Sequence, residues 1–379
     1  MASLTVENLS KRYGKTVAVD NLSFHVKDGE FFTILGPSGC GKTTTFYLMA
    51  GLVDPDSGEV RINNRVVCST SKGVYVPPKD RKISMLFQEF SIYPNMTIFE
   101  GISLPLKAEK LDEKEIKRVV KKVAKITGVE DILERQPHEL SGGQKRRAGL
   151  AKAIAKEPLI YLLDEPLTGC DAKMRVILRG ELRKLQQELK ATFVVVTHDQ
   201  VEAMAMSDRI MLMRDGKKNQ IGTPKELYHQ PKNTFVAGFI GTPPTNLIDC
   251  TLTKVNRKLI LDVKEFRIPV PSEIASRLKQ YVGKDIIIGI RPRYITIKPS
   301  KGELSKYSFK AKVTVIESKY PTFITHLKRG KLSLTVETDR IKGKVGDEVT
   351  LEMNPKMIHL FSKDNGNAIV NAIDSNKLD

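Results

Sequence analysis

Residues 30–52 read "EFFTILGPSGCGKTTTFYLMAGL" and carry three textures in succession. "EFFTILG" is a continuous apolar run ending in glycine, the pattern of a strand buried on both faces that feeds a loop. "GPSGCGKT" fits G-x-x-x-x-G-K-[ST], with Gly36, Gly41, Lys42 and Thr43 at the fixed positions. "KTTTFYLMAGL" then reads as a helix. Strand, glycine loop and helix in that order form a phosphate cradle. The glycines let backbone N–H groups turn inward, Lys42 can bridge β- and γ-phosphates, and the Thr43 hydroxyl can hold magnesium. Pro37, Ser38, Gly39, Cys40 and Thr44 complete the loop, with Cys40 read as a spacer.

Two further apolar runs end in polar residues. "PLIYLLDEP" (158–166) puts Asp164 and Glu165 at a strand end. There an aspartate can hold magnesium and a glutamate can polarise an attacking water. "TFVVVTHD" (192–199) ends on His198, at the equivalent place on another strand. Gln88, in "SMLFQEF", is a neutral amide suited to touching metal and water. Between the two runs, "AKMRVILRGELRKLQQEL" (172–189) has helical periodicity. The alternation predicts an α/β sheet with its chemistry at the carboxyl ends of the strands. Upstream, residues 4–14 and 18–29 alternate like antiparallel strands.

A second anion-binding feature lies far from the first. "LSGGQKRRAGLAKAI" (140–154) opens a helix at Ser141 with Gly142 and Gly143, which presents backbone N–H groups and a positive dipole end. It belongs to a helical insert between about residues 90 and 156. In that insert Ile116, Val119, Val120, Val123 and Ile126 form one apolar stripe, and the Lys/Glu face opposite reads as solvated surface.

The chain's 379 residues suggest two domains. After "GTPPTN" (241–246) the texture changes to short alternating strands separated by turn residues. That predicts a small all-β, OB-like barrel over 241–379, ending in a partly ordered tail from residue 364. The net charge of +18 is compatible with nucleic acid, an anionic membrane surface or a lysine-rich solvated surface. The lysines are spread and form no aromatic-interleaved patch. Four scattered cysteines lack metal or disulfide spacing. No apolar run approaches the roughly 18 residues of a membrane span, and "MASLTVENLSKRYGK" lacks a signal-peptide core, so a cytosolic location is expected unless a partner tethers the chain.

Taken in order, "GPSGCGKT", "FQ", "LSGGQ", "LLDEP" and "THD" resemble the ATP-binding cassette ATPases over roughly the first 240 residues. The resemblance implies ATP and Mg2+ as ligands. It also implies a head-to-tail dimer in which the "LSGGQ" helix of one chain caps the nucleotide on the other's phosphate loop. By the same resemblance Tyr13 stacks on adenine, and residues 36–44 hold phosphates and metal. Gln88 is the Q-loop glutamine, and Ser141, Gly142, Gly143 and Gln144 are the signature. Asp164 is a magnesium residue with Thr43 and Gln88, Glu165 the catalytic base, Asp171 the D-loop aspartate and His198 the switch histidine. The D-loop itself, "LTGCD", departs from the usual Ser-Asn-Leu-Asp type at Gly169 and Cys170.

Longer stretches, among them "VPPKDRKISMLFQ", "YPNMTIFE", "THDQVEAMAMSDRIMLM" and "GTPKELYHQPKNTFVAGFIGTPPTN", resemble the maltose-type importers of sugars and related solutes. "IGIRPRYITI" and "KVGDEVTLEMNPKMIHLF" resemble strands of their OB-like regulatory domain. This implies a homodimer or cassette heterodimer at the cytoplasmic face of the membrane, working with two transmembrane permease subunits and a solute-binding protein. No nucleic acid is then expected. Polyamines, iron, sulfate and glycerol phosphate remain alternative solutes to sugars.

Overall fold

The computed structural model describes residues 2–86, 92–156, 158–298 and 305–372. They divide into two compact units, Met1–Pro224 and Lys225–Asp379. The sequence pattern groups residues 225–240 with the first domain, whereas their packing groups them with the second.

The first unit holds two sheets. The antiparallel one comprises β1 (Leu4–Tyr13), β2 (Thr16–Val26), β4 (Ser57–Ile62), β5 (Arg65–Ser69) and β6 (Val74–Tyr75), in the order β2-β1-β4-β5-β6. The central sheet comprises β3 (Phe31–Leu35), β7 (Ile83–Leu86), β8 (Ile160–Asp164), β9 (Thr192–Thr197), β10 (Arg209–Arg214) and β11 (Lys217–Gly222), in the order β11-β10-β3-β9-β8-β7. Its neighbours are parallel except for the β10–β11 edge pair.

Strands β3, β8 and β9 are buried at every position, and side-chain alternation splits them between two cores. Phe32, Ile34, Leu162, Val194 and Val196 pack with α1 (Lys42–Ala50) and the antiparallel sheet. Phe31, Tyr161, Leu163, Phe193 and Val195 pack with the helices α2 (Ile98–Ala108), α3 (Glu113–Thr127), α4 (Gly142–Ile154) and α5 (Ala172–Leu189). Both faces are therefore covered, as a parallel sheet requires. On α3, Ile116, Val120 and Val123 are buried, with Val119 and Ile126 half-buried beside them. A short α6 (Gln200–Met206) follows β9.

In the second unit two antiparallel sheets share one core. One is β14-β13-β12-β15-β21-β22, built from β12 (Asn246–Val255), β13 (Lys258–Val263), β14 (Phe266–Pro269), β15 (Asp285–Ile290), β21 (His359–Ser362) and β22 (Ala368–Val370). The other is β16-β20-β17-β18-β19, from β16 (Ile295–Lys298), β17 (Ser308–Lys319), β18 (Thr322–Arg329), β19 (Leu332–Thr338) and β20 (Glu348–Met353). Phe266 and Phe309 stack between them, centroids 3.8 Å apart. Short helices α7 (Pro224–His229), α8 (Thr234–Phe239) and α9 (Ser272–Ala275) complete the unit. Residues 225–240 belong here for identifiable reasons. Thr234 N–H donates to Gly366 O at 2.9 Å. The buried Arg291 donates to Ala237 O at 3.0 Å and to Tyr228 O at 2.7 Å. Part of the tail is strand: β22 pairs with β21, while residues 373–379 lie outside the described residues.

Candidate functional site

Strands β3, β9 and β8 are adjacent and parallel, with Leu35 opposite Thr197 and Asp164 opposite Val196. Their carboxyl ends therefore bring the phosphate loop, His198 and the Asp164–Glu165 pair to one sheet edge, within two strand spacings, or roughly 10 Å.

The loop from Gly36 to Gly41 leaves β3 and enters α1. Its backbone needs glycine at particular places. Gly41 has φ +100°, and a Cβ there would lie 2.2 Å from Ala18 O. At Gly36 a Cβ would meet Met213 O at 2.5 Å. Ser38, Gly39 and Thr43 are exposed, Cys40 is buried, and Pro37 and Thr44 are half-buried. Lys42 is buried, and its ammonium donates to Gly36 O and Pro37 O, each at 2.8 Å. The cation thus sits folded over its own loop. Burial raises the Cys40 thiol's pKa, partly offset by Lys42; a neutral thiol suits the spacer reading.

Asp164 is buried at the end of β8, and its Oδ1 has no hydrogen-bond partner among the described residues. Burial, aided by the Glu165 charge and opposed by Lys42, pushes its pKa up to about 6. A buried carboxylate oxygen left without a donor is costly unless a cation meets it. The donor set of one carboxylate and the exposed Thr43 hydroxyl is the oxygen chemistry magnesium takes, with phosphates and water supplying the rest.

Glu165 adopts φ +45°, a left-handed conformation that costs a non-glycine residue about 1–3 kcal/mol. Its N–H donates to Val196 O at 2.8 Å, which anchors the turn to β9. The strained turn carries the carboxyl to His198, with Oε1 2.8 Å from Nδ1. Thr168 Oγ donates to Oε2 at 3.0 Å. Burial works to raise the Glu165 pKa, but these two hydrogen bonds, together with the electrostatic pull of His198 and Lys42, outweigh it and hold the carboxyl below its ordinary value. Glu165 is thus anionic at neutral pH and oriented, as a general base must be.

Ser141 caps α4 reciprocally. Its Oγ accepts from Gln144 N–H at 3.3 Å while Gln144 Oε1 accepts from Ser141 N–H at 3.0 Å. Ser141 and Gly142 are exposed, and Gly143 and Gln144 half-exposed. This helix packs on α2, α3 and β7, whereas α1 packs on β8, β9 and β2. The two helix starts therefore belong to different packing groups within the unit. Asp171 caps α5, its Oδ1 accepting from Met174 N–H at 2.9 Å. Tyr13 stands 49% exposed at the end of β1, with the Lys11 ammonium over its ring, 5.7 Å from the centroid. Gln88 lies outside the described residues.

Some residues carry the site without a sequence signature. Thr168 buttresses Glu165. Arg175 bonds Asp199, the neighbour of His198, at 3.0 Å, and Arg146 bonds Cys170 at 2.7 Å. Arg175 pairs with Asp199 and Glu202, more than twenty residues away, so no local spacing marks it.

A glycine phosphate loop, a buried aspartate and an oriented glutamate–histidine pair at one sheet edge define a P-loop ATPase site. Comparison with known proteins narrows the class. The family model for ABC transporters matches residues 19–168, and that for the MalK OB fold domain matches residues 241–295. The chain is 43% identical to the trehalose/maltose import ATP-binding protein MalK of Thermococcus litoralis, over 97% of this chain and 100% of that protein. It is 40% identical to the oligosaccharides import ATP-binding protein MsmX of Bacillus subtilis, over 96% and 98%. Identity to an sn-glycerol-3-phosphate import ATP-binding protein of Rhizobium johnstonii is 37%, over 99% and 98%. Among solved structures, cbiO1 from Clostridium perfringens aligns with a TM-score of 0.55 at 31% identity, covering 60% of this chain and 90% of that one. The cassette MJ0796, solved as a dimer in a post-hydrolysis state with ADP and Pi, aligns with a TM-score of 0.51 at 31% identity, covering 58% and 98%. The chain belongs to the ATP-binding subunits of ABC importers, in the branch related to sugar import that carries a C-terminal OB-fold domain, and is a transport ATPase.

Proposed function

We propose that two copies of this chain, or one copy and a related cassette, clamp two ATP molecules and drive uptake of a sugar or sugar-related solute. Separate transmembrane permease subunits and a solute-binding protein complete the transporter. The observation that carries this reading is the separation of the exposed Ser141 helix start from the Lys42 loop within one chain. Each is half of an anion site, and a head-to-tail pair would join them. The dimeric state of the solved MJ0796 cassette supports the pairing, and the names of the trehalose/maltose and oligosaccharide relatives support the solute class. The glycerol-phosphate relative is nearly as similar, so a phosphorylated polyol is the competing solute.

In this reading Tyr13 stacks on adenine, while residues 36–44 enclose the phosphates and Lys42 moves from Gly36 O and Pro37 O to the β- and γ-phosphates. Thr43, Asp164 and Gln88 would hold magnesium, which would neutralise charge developing on the phosphates. Glu165 accepts the proton of the attacking water, and His198 holds its carboxyl toward the γ-phosphate. Ser141, Gly142, Gly143 and Gln144 of the second chain donate to the same phosphate, with Asp171 at the seam between chains. ATP is then part of the interface, so binding closes the pair and hydrolysis reopens it. No helix among the described residues is long and apolar enough to cross a membrane, and the chain is proposed to sit on the cytoplasmic face through its permease. Glu165→Gln tests the core of this: the variant should retain ATP and accumulate as a closed dimer by analytical ultracentrifugation. A turnover rate equal to wild type would overturn it.

A further inference from the structure

A continuous run of polar contacts links the switch loop to the signature helix. Asp199, next to His198, accepts from Val201 N–H and Glu202 N–H at 2.7 and 3.1 Å and so caps α6. Its Oδ2 also accepts from Arg175 Nη1 at 3.0 Å, and Arg175 Nε lies 3.7 Å from the buried Glu202. Arg175 Nη2 donates to Cys170 O at 3.3 Å. The Cys170 thiol accepts from Arg146 Nη1 at 2.7 Å, and Arg146 is only 5% exposed on α4, the helix that Ser141 caps. Burial lowers the Arg146 pKa, and Cys170 opposes that. Cys170 itself packs against the buried core of this side of the sheet, and Glu202 and Arg175 act on the Arg146 charge from nearby. A buried guanidinium N–H needs an acceptor there, and sulfur, though weak, is polarisable enough to serve.

We infer that Arg146, Cys170 and Arg175 are positioning residues that lock the signature helix to the switch loop through the D-loop turn, so that Ser141 reaches a second chain's nucleotide in register with Glu165 and His198 of its own chain. This rests on the two-chain clamp proposed above. Coupling of this kind trades in factors of about 5 or more in ligand requirement.

The test uses the full chain in a Glu165→Gln background, titrating ATP–Mg and reading dimer formation by ultracentrifugation. Adding Cys170→Ala should raise the half-dimerising ATP concentration about 5-fold. Cys170→Ser, which restores an acceptor, should return it to the parent value. ADP–Mg affinity of the monomer should stay with the parent in both variants, which a general loss of structure would not allow; the melting temperature should fall in Cys170→Ala, where the buried guanidinium loses this acceptor, and recover in Cys170→Ser. An alanine variant that dimerises at the parent's ATP concentration overturns the inference, as does a serine variant as impaired as alanine. A parent that stays monomeric at saturating ATP overturns the two-chain clamp itself, and the inference with it.

Discussion

Glu165 Oε1 lies 2.8 Å from His198 Nδ1, across loops that leave the neighbouring parallel strands β8 and β9. With the carboxyl anionic, Nδ1 is the donor, which fixes the tautomer and leaves Nε2 as the ring's outward nitrogen. Glu165 reaches this position only by adopting φ +45°. Histidine, threonine and a strained turn thus jointly aim one carboxylate at the edge where Lys42 waits.

Removing that donor has a signed consequence for pH. Burial raises the Glu165 pKa, and the hydrogen bonds from His198 and Thr168, together with the electrostatic pull of His198 and Lys42, hold it below its ordinary value. In His198→Ala burial acts with one donor fewer, so the carboxyl's pKa rises and the base is lost at higher pH. The acid limb of the kcat profile should shift toward neutrality, and kcat at its plateau should fall about 100-fold or more through lost orientation. A steady-state pH series on wild type and variant checks both. An unmoved acid limb would show that His198 does not tune this carboxyl.

Asp164 runs the opposite way. Its pKa is raised to about 6 by burial, with the Glu165 charge adding and Lys42 opposing. The folded state then holds a proton that the unfolded chain releases near pH 4, so stability falls as pH climbs through that window and stays low above it. Asp164→Asn removes the buried charge. Without nucleotide it should be more stable than wild type at pH 8, by up to about 3 kcal/mol, and nearly equal at pH 4. The same variant should lose magnesium-dependent nucleotide affinity. Denaturant melts at the two pH values, with and without ATP–Mg, separate the effects. Wild type should also release protons when ATP–Mg binds near pH 6.

Much of the core site was legible because it follows from strand ends. The apolar runs at 31–35, 160–164 and 192–197 are strands, the first leading into the glycine loop and the others ending at Asp164–Glu165 and His198, and residues 172–189 are helical as their periodicity predicts. The strain at Glu165 was not legible, since a left-handed glutamate carries no compositional mark. Thr168 was invisible for a related reason: its hydrogen bond to Glu165 depends on that turn. The placement of residues 225–240 depends on Arg291, some fifty residues away, and long-range side-chain clamps leave no local pattern. In the tail, β22 is three residues long, too short for alternation to register.

Glycine positions in the phosphate loop are separable by what a methyl group would meet. At Gly41 a Cβ would lie 2.2 Å from the backbone carbonyl of Ala18, and φ is +100°. Neither can relax without moving β2 or the loop. Gly39 also has positive φ, at +76°, but nothing lies within 4 Å of its Cβ position. Gly41→Ala should therefore abolish measurable ATP binding and lower stability by at least about 2 kcal/mol. Gly39→Ala should cost only the left-handed conformation, about 1–2 kcal/mol. Thermal melts and nucleotide titration on the two variants test the ordering, and equal behaviour would contradict it.

Arg291 anchors the second unit's entry segment. Its side chain is 1% exposed and lies over the Tyr228 ring at 4.1 Å, and it donates to the carbonyls of Tyr228, Ala237 and Ile240. Burial lowers its pKa to about 10, so it stays charged in both folded and unfolded chains through neutral pH. Arg291→Ala would remove the guanidinium donor from the Tyr228 and Ile240 carbonyls, at about 1–3 kcal/mol for each left unsatisfied, while Ala237 O keeps the Thr245 hydroxyl at 2.6 Å. Arg291→Lys keeps the charge but not the planar fork, and one ammonium cannot serve three carbonyls in that geometry. We expect Ala to be the more damaging and Lys intermediate. Beside burial, the Arg291 charge helps hold His229 and His359 below the ordinary imidazole range, so the Ala loss should be smaller at about pH 6 than at about pH 8, while Lys, which keeps the charge, should lose about the same at both. Denaturant unfolding of the full chain at the two pH values reads this directly. A lysine variant as stable as wild type would mean that charge alone, without the forked hydrogen bonds, holds residues 228–240 in place.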